Sequence, residues 1–147
     1  MRKRILRFAT LCLLAQLAVV PAYAQAFVYR AKVPFSFVVL GKTVPAGEYQ
    51  LIAAPHMVKI EDSDGVPITT ALANEIAGRF VGATGQLIFH CYGDHCFLSE
   101  LRAPLPGDSR ELLTSRSEAE WAKKEQGKYF VVLGEKPSRN HNPQSSK

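Results

Sequence analysis

The chain has 147 residues, 47% of them hydrophobic and 21% charged, with 18 Lys and Arg against 13 Asp and Glu for a net charge of +5. Four of the basic residues, Arg2, Lys3, Arg4 and Arg7, fall in the first seven positions; from Gln25 onward the chain carries 18 less 4 basic residues against 13 acidic ones, a balance of +1. Near neutrality removes the main support for a nucleic-acid partner, and no later apolar run is long enough to cross a bilayer as a helix.

The first segment, residues 1–24, reads as a secretory signal peptide. "MRKRILR" supplies the positive charge, "FATLCLLAQLAVV" the apolar core, and "PAYA" the small residues Ala22 and Ala24 before a cleavage point. An uncleaved anchor is the competing reading, but the apolar run is short for a span of about 20 residues. Cleavage after Ala24 places the remaining chain outside the cytoplasm, in the periplasm or secreted, with no integral membrane segment. Disulfides persist there. Cys12 leaves with the signal, and Cys91 and Cys96 remain as an even pair.

Residues 25–134 read as one β-rich domain, near the usual domain size. "FVYRAKVPFSFVVL" (27–40) has strand composition, with Val33, Phe35 and Phe37 on one side. Pro34 lacks an N–H and predicts an edge or a bend. "GKTVPAGEY" (41–49) has turn chemistry through Gly41, Pro45 and Gly47. Strands follow at 49–53, 57–62 and 66–73, the last two joined by an Asp-Gly hairpin turn at 63–65. "NEIAGRFVGATG" (74–85) reads as a glycine-broken strand or a loop. Its glycines lack the Gly-Lys-Ser/Thr of a phosphate loop.

"QLIFHCYGDHCFLSEL" (86–101) is the clearest hairpin. A two-residue turn at Gly93-Asp94 sets Tyr92 opposite His95, Cys91 opposite Cys96, His90 opposite Phe97 and Phe89 opposite Leu98. The cysteines then form a non-hydrogen-bonded pair with Cα atoms roughly 4.5 Å apart. Side chains alternate, so His90, Tyr92 and His95 point to the face opposite the cysteines. A closed zinc site would need His90, Cys91, His95 and Cys96 to converge. Three readings stay open: a structural disulfide, which this register favours; a metal site on some of those four residues; and a redox-active thiol pair.

After a loop at 103–110, "SEAEWAKKEQG" (117–127) reads as a short helix. Ser117 and Glu120 form a capping box, Glu120 and Lys124 an i, i+4 pair, and Gly127 the stop. Trp121, the single tryptophan, is its expected anchor on the β body, at a truncation cost on the order of 3 kcal/mol. "KYFVVLG" (128–134) returns to strand, and 135–147, which includes His141, reads as a disordered polar tail. The expected fold is mainly β, a single small antiparallel β-barrel or β-sandwich with one short C-terminal helix.

No nucleophile elbow, zinc-protease motif or EF-hand loop occurs. Nothing fixes Ser36 or Ser99 against His90 and Asp94 as a triad, and Asp94 is explained as a turn former. No catalytic residue and no cofactor is therefore assigned. The segments "KVPFSFVVLGKTVPAGEYQL" (32–51) and "LIFHCYGDHCFLSELRAP" (87–104), followed by a short helix, resemble a group of uncharacterised small secreted bacterial proteins with a V-P-F-x-F, P-A-G-x-Y, F-H-x-Y-G-D-x-x-F-L-S-E pattern. The resemblance covers most of residues 27–126 and implies a secreted β-rich domain with no known activity. The positions of Cys91 and Cys96 are not typically cysteine in that pattern, which implies a staple peculiar to this chain. The expected function is an exported, non-catalytic β-domain with a structural role or one of binding an envelope or extracellular ligand; the alternative is a metal-binding or thiol redox protein using residues 90–96.

Overall fold

A computed structural model describes residues 27–77, 84–104 and 107–135. The signal peptide expected at 1–24 and the tail from 136 onward lie outside the described residues, as does most of the glycine-rich stretch after Ala77.

The first strand, β1 (Phe27–Val33), buries Tyr29, Ala31 and Val33 and exposes the residues between them. It stops one residue before Pro34, as the missing N–H requires. The chain resumes as β2 (Phe37–Val39), which turns through Leu40 and Gly41, both with positive φ (51° and 78°), into β3 (Lys42–Val44). The segment read from sequence as turn chemistry thus holds a short strand. Then come β4 (Gly47–Ala54) and β5 (Met57–Asp62). Between β5 and β6 (Pro67–Glu75), the Asp62 carboxylate accepts from the N–H groups of Asp64 at 3.0 Å and Val66 at 2.8 Å. The hairpin strands are β7 (Gln86–Tyr92) and β8 (His95–Arg102), followed by β9 (Arg110–Leu112), helix α1 (Arg116–Lys124) and β10 (Lys128–Leu133).

These strands form one large sheet with the order β1-β4-β5-β6-β9-β8-β2-β3, and with β7 between β8 and β10. Strand β6 links two parts of the sheet: its first part pairs with β5, and Ala73–Glu75 pair with β9. The expected mainly β fold with one short helix is present, but the finer expectation needs correction. The sheet is mixed, because β2 runs parallel to β8 at Val38 and Phe97, and it does not close into a barrel. Pro34 is the physical cause of the first difference. It ends the β1–β4 ladder and lets the chain cross to β8. At the opening, the Gly134 N–H donates to the Gly85 carbonyl (2.8 Å) and the Glu135 N–H to the Arg30 carbonyl (2.7 Å). Glu135, assigned to the tail by sequence, is therefore held against β1. Gly85 has a packing reason: a Cβ there would collide with the Tyr29 ring.

One hydrophobic core unites the inner faces of β1, β4, β5, β7 and β8. Phe89 lies at its centre, edge-to-face with Phe35 (5.1 Å between centroids) and Phe37 (5.3 Å), and Phe37 in turn meets Tyr49 (5.6 Å). Arg110 is also buried. Its Nε donates to the Ala54 carbonyl at 2.8 Å, and Nη1 donates to the carbonyls of Gly107 at 2.6 Å and Ser109 at 2.8 Å. Beside it the Ser109 hydroxyl accepts from the Ala103 N–H at 2.9 Å.

Candidate functional site

The β7–β8 hairpin positions the chemistry. Its turn is Gly93-Asp94, with Gly93 at φ 56°, and the register sets Tyr92 against His95, Cys91 against Cys96, His90 against Phe97 and Phe89 against Leu98. Each of these pairs matches the register read from sequence. A bulge between Ile88 and Phe89 then shifts the ladder, so that Ser99 has no partner of its own. Cys91 and Cys96 are joined as a disulfide with Cα atoms 4.0 Å apart. Cys91 is buried and belongs to the core, while Cys96 is half-buried at its edge.

His90 and His95 stand on the other face with Tyr92 and Phe97, and α1 lies over them. The structure therefore splits the four residues His90, Cys91, His95 and Cys96 into a bonded sulfur pair inside and two imidazoles outside. Among the described residues no three His, Cys, Asp or Glu side chains gather as a metal set.

The helix reaches that outer face through two contacts. Glu118, only 6% exposed, approaches His90 Nδ1 with Oε1 at 3.3 Å. Trp121 stacks on His95 with ring centroids 4.0 Å apart and a 23° interplanar angle, and Lys124 covers the indole at 5.1 Å. Residues three apart share a helix face, so one side of α1 presents both groups. Burial raises the Glu118 carboxyl above its usual range; the charge and hydrogen bond of His90, and then the Ser115 backbone, oppose that rise. The His90 ring stands perpendicular to Tyr129 at 4.5 Å, and its Nε2 is buried with no partner among the described residues.

The sequence placed the start of this helix two residues late. The N-cap is Ser115, whose hydroxyl accepts from the Glu118 N–H at 3.2 Å, and the helix ends at Glu125, whose N–H donates to the Trp121 carbonyl. Two S-x-x-E boxes overlap here, Ser115 to Glu118 and Ser117 to Glu120. Capping at Ser115 puts Glu118 over His90 and Trp121 over His95. Glu120 then meets Arg116 at 3.6 Å in place of the expected Lys124. Glu118 and Tyr129 are the residues the sequence reading missed; the first S-x-x-E box was the signal for Glu118.

Trp121 meets the β body on an imidazole at the surface and is half-exposed. Trp121→Ala is accordingly expected to cost about 1.5 kcal/mol, the scale of a partly exposed stacked pair, below the cost for a core aromatic. Urea unfolding of the two proteins measures this. An unchanged midpoint would mean that α1 is held by Glu118 alone.

Two clefts flank the disulfide. One, of about 300 Å³, is lined by Phe35, Ser36, Gly93, Asp94, Cys96 and Phe130. The other, of about 250 Å³, has Cys91, Lys128 and Glu125 in its wall. Along β10, Tyr129, Phe130, Val131 and Leu133 are all exposed, Tyr129 to 72%. No family model, no curated protein and no solved structure matches the chain.

Proposed function

We propose that the chain is an exported, non-catalytic β-domain that acts by binding an extended polypeptide segment along the open edge of β10. The observation that carries this reading is the exposure of Tyr129 and Val131 on a strand whose only ladder partner among the described residues is β7. The Gly134 N–H points toward Gly85 beyond the end of β7. Strand geometry then directs the N–H and C=O groups of Phe130 and Val132 to the same side and those of Tyr129 and Val131 to the open edge, which stops at Leu133 because the Glu135 N–H, on that same side, donates to the Arg30 carbonyl of β1. Unpaired edge groups beside apolar side chains are the complement of an added strand. The signal-peptide pattern and a disulfide compatible with an extracytoplasmic compartment support the location. Intact-mass measurement of protein recovered outside the cytoplasm is expected to show a chain starting at Gln25.

A synthetic eight-residue peptide of alternating Val and Thr serves as the probe. Its addition is expected to slow amide exchange at Tyr129 and Val131, and Val131→Lys is expected to weaken that protection about tenfold by placing a charge in the apolar stripe. Protection appearing elsewhere, or protection in concentrated protein without peptide, would assign the edge to no partner or to a second copy, and the reading would fall.

A further inference from the structure

We infer that the Cys91–Cys96 disulfide is a thiol-exchange site, attacked at Cys96 by a small uncharged or cationic thiol entering the cleft beside Phe35 and Phe130, with Cys91 leaving as the thiolate next to Lys128. This stands apart from the binding role of β10 and survives its failure.

The two sulfurs are unequal. Cys91 is 3% exposed and part of the core, whereas Cys96 is half-buried and lines the cleft of about 300 Å³. Exchange requires the incoming sulfur to approach in line with the bond that breaks. Strand order sets which groups neighbour the two sulfurs. Phe35 and Ser36 lead into β2, which borders β8 on the side away from β7. Cys96 lies on β8 and Cys91 opposite it on β7. Lys128 on β10 is the cross-strand partner of Cys91 on its far side. The order across the sheet is therefore Phe35 and Ser36, attacked sulfur, leaving sulfur, Lys128, with Phe130 of β10 closing the far wall of the cleft and Glu125 sharing the wall beside Cys91 with Lys128. A nearby ammonium stabilises a thiolate, and a leaving thiol of lower pKa departs faster.

The step balances without any other reagent. The thiolate R–S⁻ forms an R–S–Sγ bond to Cys96, the Sγ–Sγ bond breaks, and its electron pair stays on Cys91 Sγ, which takes the proton released by the thiol. A second thiol attacks the sulfur of R, releasing R–S–S–R and leaving Cys91 and Cys96 reduced. The reductant is the pair of small thiols. The walls select among them: the Phe35 and Phe130 rings favour an apolar body, and the Asp94 carboxylate in the lining disfavours an anionic one.

The test measures reduction of the folded protein by 2-mercaptoethanol, cysteamine and mercaptoacetate at equal thiolate concentration, quenched with acid and read by intact mass. Cysteamine is expected to react several-fold faster than mercaptoacetate. Lys128→Ala is expected to slow reduction about threefold at equal thiolate concentration, and Lys128→Arg to restore it. In Cys91→Ala, Cys96 is expected to form a mixed disulfide with hydroxyethyl disulfide at least tenfold faster than Cys91 does in Cys96→Ala, with circular dichroism confirming that both variants are folded. Preferential reaction at Cys91, or a reduction rate that does not depend on thiol concentration and equals the rate of global unfolding, would overturn the inference. Should either cysteine variant fail to fold, an equal rate for Lys128→Ala, Lys128→Arg and the parent protein would overturn it as well.

Discussion

Phe89→Ala is expected to lower the unfolding free energy by about 4 kcal/mol, the upper range for a truncated core aromatic. The residue has no exposed surface and receives the edges or faces of Phe35 and Phe37 on either side. It also sits on β7 between β8 and β10, paired with Leu98 and Phe130, so a cavity there is walled by ladders that cannot collapse without breaking backbone hydrogen bonds. A marginal stability of 5–15 kcal/mol, as is usual for a domain, makes a loss of about 4 kcal/mol visible at ordinary temperature. Equilibrium denaturation measures it. A loss near 1 kcal/mol would mean that Phe35 and Phe37 swing in to refill the space and that the ring is not the centre of the core.

The second large effect concerns a charge. Arg110→Ala is expected to cost about 3 kcal/mol, because it leaves buried carbonyl acceptors without donors and opens a void. The guanidinium ties the Ala54 carbonyl at the end of β4 to Gly107 and Ser109. It thereby locks a turn of one half of the sheet to the segment that feeds β9. Arg110→Lys is expected to recover less than half of the loss, since one ammonium on a flexible stem does not reproduce a planar fork with donors aimed in two directions. Full recovery by lysine in thermal unfolding would show that charge alone, and not the geometry of the fork, is what this position supplies.

The two positions differ in how legible they were. Phe89 was readable as a core residue because it belongs to a hairpin whose register is set locally, by Gly93-Asp94 and by period-two alternation. The same locality made β5 and β6 readable around Asp62 to Gly65. Arg110 looked like the end of a polar loop, since its burial depends on Ala54, which is distant in sequence. The parallel contact of Val38 with Phe97 was unreadable for the same reason. The start of α1 shows a third kind of limit. Ser115 and Ser117 offer equivalent caps to the backbone, and what distinguishes them is tertiary: only the first aligns Glu118 with His90 and Trp121 with His95. At the hairpin itself, the pairing of the cysteines and the facing-away of the histidines followed from alternation, whereas the clefts on either side of the disulfide depend on Phe35, Phe130 and Lys128, which no local pattern brings together.

The parallel β2–β8 pair sets an order of assembly. Val38 and Phe97 are roughly 60 residues apart, against 5 for Cys91 and Cys96, and closing the longer loop costs about 2 kcal/mol more in chain entropy. The β4–β5–β6 meander and the β7–β8 hairpin each close over a few residues, so they can form as the chain emerges. The β2–β3 hairpin must wait until β8 exists to receive it, and the outer edge of β7 waits for β10. The disulfide thus belongs to the early, local part of folding, while the walls of the cleft beside Cys96 are completed late. During that interval the sulfurs are open to solution on both sides, which is when oxidation of the pair meets the least steric resistance.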